Sequence, residues 1–152
     1  DAREYTFEQD REMVAVNLVG AMAWLDQAAV RMEAARRGTI VGVSSIAGDR
    51  GRRGAPAYGA SKAGLTTFLE ALRNRLAPHG VHVVTVRPGY VDTAMTRGMR
   101  NLFWLISADR AAEIILAHAR RGSCDRHVPG RWWLVSAIIR AIPSFVFRRL
   151  PV

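Results

Sequence analysis

The stretch TIVGVSSIAGDRGRRGAPAYGASK, residues 39–62, decides the reading of this chain. Its opening, residues 39–45, is apolar and β-branched at consecutive rather than alternate positions. That pattern belongs to a strand covered on both faces, as in parallel α/β sheets, and not to a strand with one wet side. An Arg/Gly-rich loop follows, and then a helix that starts near Pro56, a residue suited to a first turn, and runs to about Ala77, where PHG stops it. One residue in the stretch stands out. Of the 22 basic side chains in the chain, Lys62 is the single lysine, and the rest are arginine.

Upstream, TFEQDREMVAVNLVGAMAWLDQAAVRMEAARRG reads as one long helix over residues 7–37, with Thr6 and Gln9 at capping-box spacing and Gly38 after its last arginines. Downstream, VHVVTVRPG (81–89) repeats the buried-strand pattern. Ser107 caps a third helix over ADRAAEIILAHARRG, and RHVPG (126–130) holds a short last strand. Helix, strand, helix, strand, helix, strand, with connections long enough for crossovers, predicts a doubly wound, Rossmann-like parallel sheet. Ligands of such sheets gather beyond the carboxyl ends of the strands, and both strong strands end in suggestive turns, SSIAG and RPGYVDT.

Composition narrows the function classes. A chain of 152 residues with 49% apolar side chains can fill a hydrophobic core. The net charge of +9 is spread from Arg3 to Arg149 among 13 acids, with neither a basic helix interleaved with aromatics nor zinc-finger spacing, so nucleic acid is not the expected partner. Cys124 is the only cysteine and permits no internal disulfide. The histidines 79, 82, 118 and 127 lack ligand spacing, so no metal site is expected. The N-terminal DAREYTFEQDREM has no secretory character, and a cytoplasmic location is expected.

On the helix from Pro56, Tyr58 and Lys62 stand four residues apart and therefore share a face. Ser45 closes the first strong strand, 13 residues before the tyrosine, and Asn17 lies inside the first helix. With VNLVG around Asn17, GTIVGVSSIAG before the tyrosine, YGASKAGL at it and VRPGYVDT after it, the chain resembles the short-chain dehydrogenases/reductases over about residues 5–122. The resemblance implies an Asn17, Ser45, Tyr58, Lys62 tetrad and an oxidoreductase that moves a hydride between a nicotinamide cofactor and a carbonyl or alcohol. Tyr58 would be the general acid/base, Ser45 would bond the substrate oxygen, and Asn17 would hold a water in a proton relay. Tyr58 and Lys62 would also touch the cofactor, and Pro88, Gly89, Val91 and Thr93 would frame its nicotinamide end.

Chemistry explains the lone lysine. A free phenol titrates near about pH 10, so proton exchange at neutral pH needs a close positive charge. A slim ammonium with three donors can stand beneath the ring and still reach ribose hydroxyls, whereas the flat arginine fork suits that double task poorly.

The resemblance also marks departures. The family's glycine-rich turn and the acidic or basic selector after its second strand do not occur in these 152 residues, so the sequence does not distinguish NAD from NADP. The expectation is the catalytic carboxyl-terminal portion of an incomplete fold, residues 1–130, not competent alone. A basic, aromatic tail follows at 131–152. On a helical wheel its segment 132–142 is apolar except for Ser136 and Arg140, which suits either a helix lying on the inner membrane face or one packed over the cleft or a partner. Arg50, Arg52 and Arg53, at the cleft rim, read as a solvated loop or as a grip on a substrate anion. Expected partners are a small or lipid-like carbonyl or alcohol and a second copy of the chain through the helices at 7–37 and 56–77. The alternative is a non-catalytic, membrane-associated module derived from a reductase.

Overall fold

The protein is described by a computed structural model covering residues 6–100 and 102–150. Three parallel strands form one sheet in the order β1 (Gly38–Val43), β2 (Val81–Pro88), β5 (Asp125–Val128). Gly38 pairs with Val81 through to Val43 with Val86, and Thr85 pairs with Asp125 through to Pro88 with Val128. The central position of β2 explains its run of valines: a strand with a neighbour on each edge and helices on both faces buries apolar side chains on both sides.

Alternation along β2 sends its side chains into two cores. Val81 and Val83 join Ile40 and the leucine stripe 65, 69, 72 and 76 of α3 (Pro56–Leu76). Val84 and Val86 meet Val128 and Ala111 of α4 (Ala108–Arg120) on the other face. The two-faced parallel α/β arrangement read from the sequence is therefore present. Leucines at this spacing make one apolar helix face, and the strand accommodates them: a Cβ on Gly42 would lie 2.2 Å from Leu69 Cδ1.

The first helix has a finding inside it. α1 (Phe7–Val14) and α2 (Ala21–Ala35) are joined by a π-helical segment, Ala15–Gly20, into one 29-residue run. By length and apolarity alone that run could cross a membrane, yet Leu18, Ala21, Leu25, Ala29 and Met32 pack into the first core. It ends two residues before the expected boundary. Arg36 takes the left-handed position (φ 52), and Gly38 (φ 144) instead opens β1 with Met32 pressed against it. Ser107 caps α4 as expected, its Oγ accepting from Arg110 N at 3.2 Å.

One strand pair was not anticipated, and the helix expected over 132–142 is present with a second short helix after it. β3 (Val91–Asp92) and β4 (Ile106–Ser107) pair in a small parallel ladder that closes off the excursion between them. The tail forms α5 (Trp132–Ala141) and, after Pro143 breaks it, α6 (Ser144–Phe147). In α5 the polar position Ser136 points inward and is buried beside Trp132, while Trp133, Leu134 and Ile138 face outward.

Candidate active site

β1 stops at Val43, and the two serines after it separate in role. Ser44 N still donates to Val86 O, and its hydroxyl is committed to α3, at 2.9 Å from Lys62 O and 2.7 Å from Thr66 Oγ1. Ser45 starts a tight turn, Ile46–Gly48, and its Oγ accepts from Ala47 N at 3.1 Å. An oxygen that only accepts keeps its own proton for another acceptor. Ser44 therefore pins the strand end to the helix, and Ser45 is left with the donor.

Tyr58 and Lys62 emerge from the first two turns of α3 on one face, with Lys62 Nζ 5.8 Å from the centre of the tyrosine ring. The ammonium donates to Val43 O at 3.1 Å, which fixes it at the end of β1 next to the serines. Its half-buried setting disfavours the charged form and pushes its pKa below the usual 10.5. Gly48 holds the serine turn against this helix, since a Cβ there would come within 2.7 Å of Ala63 N. The turn and the helix are thus packed backbone to backbone, which only glycine permits.

Asn17 sits in the π-helical segment, where the widened backbone turn breaks the regular hydrogen-bond ladder. It lines a groove of about 330 Å³ together with Val16, Trp24, Gly42, Val43 and Lys62. Asn17 and Lys62 are 45 positions apart in sequence and share one groove along the open edge of β1.

At the exit of β2, where the resemblance has Gly89 frame the nicotinamide end, the open face of that glycine is already occupied. Gly89 N donates to Val128 O at 2.9 Å, and the face of Gly89 that lacks a side chain is filled by Trp132, whose Nε1 would lie 2.0 Å from an added Cβ. The close approach at Gly89 is therefore made by the tail's indole. Beyond it, Thr96 organises the turn carrying Val91 and Thr93: its hydroxyl accepts from Thr93 N at 3.0 Å and lies 2.8 Å from Val91 O. Trp132 also anchors an aromatic cluster, with ring centres 4.9 Å from Phe103 and 5.5 Å from both Tyr90 and Trp104. The sequence signal for it was the paired aromatics at 103–104 and 132–133.

Of the rim arginines Arg50 turns inward, which corrects both readings offered for it, while Arg53 remains exposed. Arg50 donates to Ile139 O at 2.7 Å, to Ile142 O and to Ser144 Oγ, and stacks 4.2 Å over Phe147. Arg53 donates to Arg148 O at 2.6 Å. Arg50 is neither a solvated loop charge nor a free grip for an anion, because carbonyls left unpaired at the end of α5 take it up, whereas Arg53 stays exposed and meets one carbonyl at the end of α6.

Asp49 was missed by sequence reasoning. Its side chain is 2% exposed and accepts from Arg87 and, at 2.6 Å, from Ser136 Oγ. His127 Nε2, buried without a hydrogen-bond partner, lies 3.6 Å away. Burial alone would raise the pKa of this carboxyl. The polar contacts of His127 and Ser136 and the charge of Arg87 outweigh burial and hold it below the ordinary 3.8. Arg87 in turn pairs with Asp125 on β5. Among the described residues no group of three or more His, Cys, Asp or Glu side chains is placed to hold a metal.

With this geometry in place, comparison with known proteins gives a consistent picture. The family model described as short chain dehydrogenase matches residues 1–102. An uncharacterized oxidoreductase of Myxococcus xanthus is 34% identical over 97% of this chain, and the 3-oxoacyl-[acyl-carrier-protein] reductase MabA of Mycobacterium avium is 36% identical over 82% of it. A short chain dehydrogenase of Burkholderia cenocepacia, solved in complex with NADP, superposes with a TM-score of 0.85 at 25% identity, covering 99% of this chain. The chain spans 58% of the Myxococcus relative, 47% of MabA and 64% of the Burkholderia chain.

Proposed function

This chain belongs to the short-chain dehydrogenase family of oxidoreductases, and on that footing we propose that it carries the catalytic half of an NAD- or NADP-dependent reductase or dehydrogenase acting on a carbonyl or alcohol. The observation that carries the reading is the convergence at the end of β1: Ser45 with a proton to donate, and Tyr58 beside the sole lysine. In carbonyl reduction Tyr58 gives its hydroxyl proton to the substrate oxygen while Ser45 donates a hydrogen bond to the same atom. Lys62 spends one of its three donors on Val43 O, leaving two for ribose hydroxyls and for the phenol. Asn17, in the same groove, holds the relay that returns a proton to Tyr58. A nicotinamide, when bound, would supply or accept the hydride, and Pro88, Val91 and Thr93, with the backbone of Gly89, are proposed to frame its ring end. In the reverse direction the same groups run as base and acceptor.

Support for the cofactor comes from the Burkholderia structure with NADP, and support for a carbonyl substrate from the reductase named among the relatives. We propose residues 1–130 as the catalytic part and 131–152 as a tail packed onto it. The helices at 7–37 and 56–77 are proposed to meet a second copy, the first through its exposed Phe7, Val19 and Val30. The outward face of α5, with Trp133, Leu134 and Ile138 next to arginines 131 and 140, is proposed to touch an anionic membrane surface from the cytoplasmic side. That outward face is also what favours the second reading, a membrane-associated module without catalysis.

Turnover separates the two. Protein carrying this chain is mixed with NADH or NADPH and a panel of aldehydes, ketones and acyl thioesters. Oxidation of the nucleotide by the wild type, falling by about 10²-fold or more in Tyr58→Phe, supports the reductase. Turnover that survives Tyr58→Phe removes the assigned role, and a wild type inert with both nucleotides across the panel supports the module.

A further inference from the structure

We propose that the C-terminal tail is a clamp that positions the reacting groups, holding the loop between Ser45 and Tyr58 through Asp49, Arg50 and Arg53. The proposal rests on the reductase reading above and adds positioning residues to it.

The loop at 49–55 has little to fix it from within. It holds two glycines, Gly51 and Gly54, around which a side chain would meet nothing within 4 Å, and three arginines. What fixes it comes from Arg87, 38 positions away, and from the tail, 87 to 95 positions away. Ser136 of α5 donates to Asp49 at 2.6 Å, Arg50 donates to Ile139 O, Ile142 O and Ser144 Oγ, and Arg53 donates to Arg148 O. Each partner gains. The arginines satisfy carbonyls that the ends of α5 and α6 leave unpaired, and Asp49, a buried carboxylate, is matched by Arg87 and Ser136.

Three rigid links carry this hold to the chemistry. Asp49 N donates to Ile46 O at 3.2 Å and Gly48 N to Ser45 O at 3.1 Å, so Asp49 closes the same tight turn that Ser45 opens. Gly48 is pressed on the backbone of Lys62 and Ala63, so the turn cannot slide without moving the helix that bears Tyr58 and Lys62. Arg87, bonded to Asp49, immediately precedes Pro88, the last residue of β2, and the Gly89 turn. One carboxylate thereby ties together the serine turn, the exit of β2 and the tail. Pulling the loop outward by even ~1 Å would spoil the alignment of hydroxyl, phenol and hydride donor, and misplacement of that size costs rate on the order of 10²-fold.

The test uses protein carrying this chain in two variants that open the clamp at separate points, Ser136→Ala and Arg50→Gln, with Arg50→Lys as a partial rescue. Amide hydrogen exchange over residues 46–55 and steady-state kinetics are read on each. The expected result is exchange at least ~10-fold faster in that segment, kcat lowered ~10-fold or more with KM for the nicotinamide nucleotide changed less than ~2-fold, and partial recovery in Arg50→Lys. Unchanged exchange in both variants overturns the clamp. Faster exchange with unaltered kcat overturns its positioning role and leaves the tail a packing element. If the wild type turns nothing over, the reductase reading fails and with it the positioning role, while the exchange arm still shows whether the tail holds the loop.

Discussion

Replacing Lys62 by methionine should separate what this side chain does for the reaction from what it does for the fold. In the fold it makes one hydrogen bond, to Val43 O at 3.1 Å. Val43 is 49% exposed, so water can take over that carbonyl, and the loss is ~1 kcal/mol or less. Against it stands the cost of keeping an ammonium half-buried, the cause of its lowered pKa; solvent screening of so open a site holds this term to a similar size. Methionine keeps the unbranched stem beside Leu65 and Gly42. The two terms nearly cancel, so thermal unfolding at pH 7 should shift by no more than ~4 °C. The sign with pH is fixed. A lysine whose folded pKa lies below its ordinary 10.5 sheds its proton more readily when folded, so the wild type gains stability relative to the variant as pH rises through the folded value toward 10.5. Turnover, by contrast, should fall ~10²-fold or more in Lys62→Met, and in Lys62→Arg as well, because the planar fork cannot serve ring and ribose together. Melting curves at neutral and alkaline pH, with nucleotide oxidation at neutral pH, check all of this. A fall in Tm beyond ~8 °C would make the ammonium a structural anchor, and an active Lys62→Arg would refute the reason given for a lone lysine among arginines.

Acid should act through Asp49. Its carboxylate, held below 3.8 in the fold, contributes stability that is complete above its ordinary value and lost as pH falls through the lowered one. Melts between about pH 5 and 2 should therefore fall more steeply for the wild type than for Asp49→Asn. The outward face of α5 should bring protein carrying this chain up with phosphatidylglycerol vesicles in flotation, weakly at ~0.5 M salt. The double variant Trp133→Ser, Ile138→Ser should stay behind, and equal flotation of that variant would discard the contact.

How much of this was legible in the sequence follows from the range of the interactions. The strands β1 and β2 declared themselves because burial on both faces demands consecutive apolar residues. α4 declared itself because Ser107 caps it locally. The proposed site was legible for the same reason: Tyr58 and Lys62 are neighbours on one helix, and Ser45 lies at a strand end that the apolar run marks. Spacing to Tyr58 already favours Ser45 over Ser44 in the sequence, and the structure adds that the Ser44 hydroxyl is engaged by Lys62 O and Thr66. The ladder of β3 and β4 is two residues long in each strand and too short to have a period.

The tail shows a deeper obstacle. A helical wheel finds the polar stripe of α5 but takes for granted that polar means outward. That assumption fails when the interior offers a charge in need of a donor. Asp49 is such a charge, 87 positions upstream, and it turns Ser136 inward and leaves Trp133, Leu134 and Ile138 facing solvent. The tail likewise draws Arg50 away from the rim, because the unpaired carbonyls at the end of α5 compete with water for it and win through several bonds at once. The orientation of an amphipathic segment is therefore decided by where its counter-charges lie. In this chain the deciding one lies four residues past the serine assigned to the chemistry, which makes any change in the tail's seating a change at the serine turn as well.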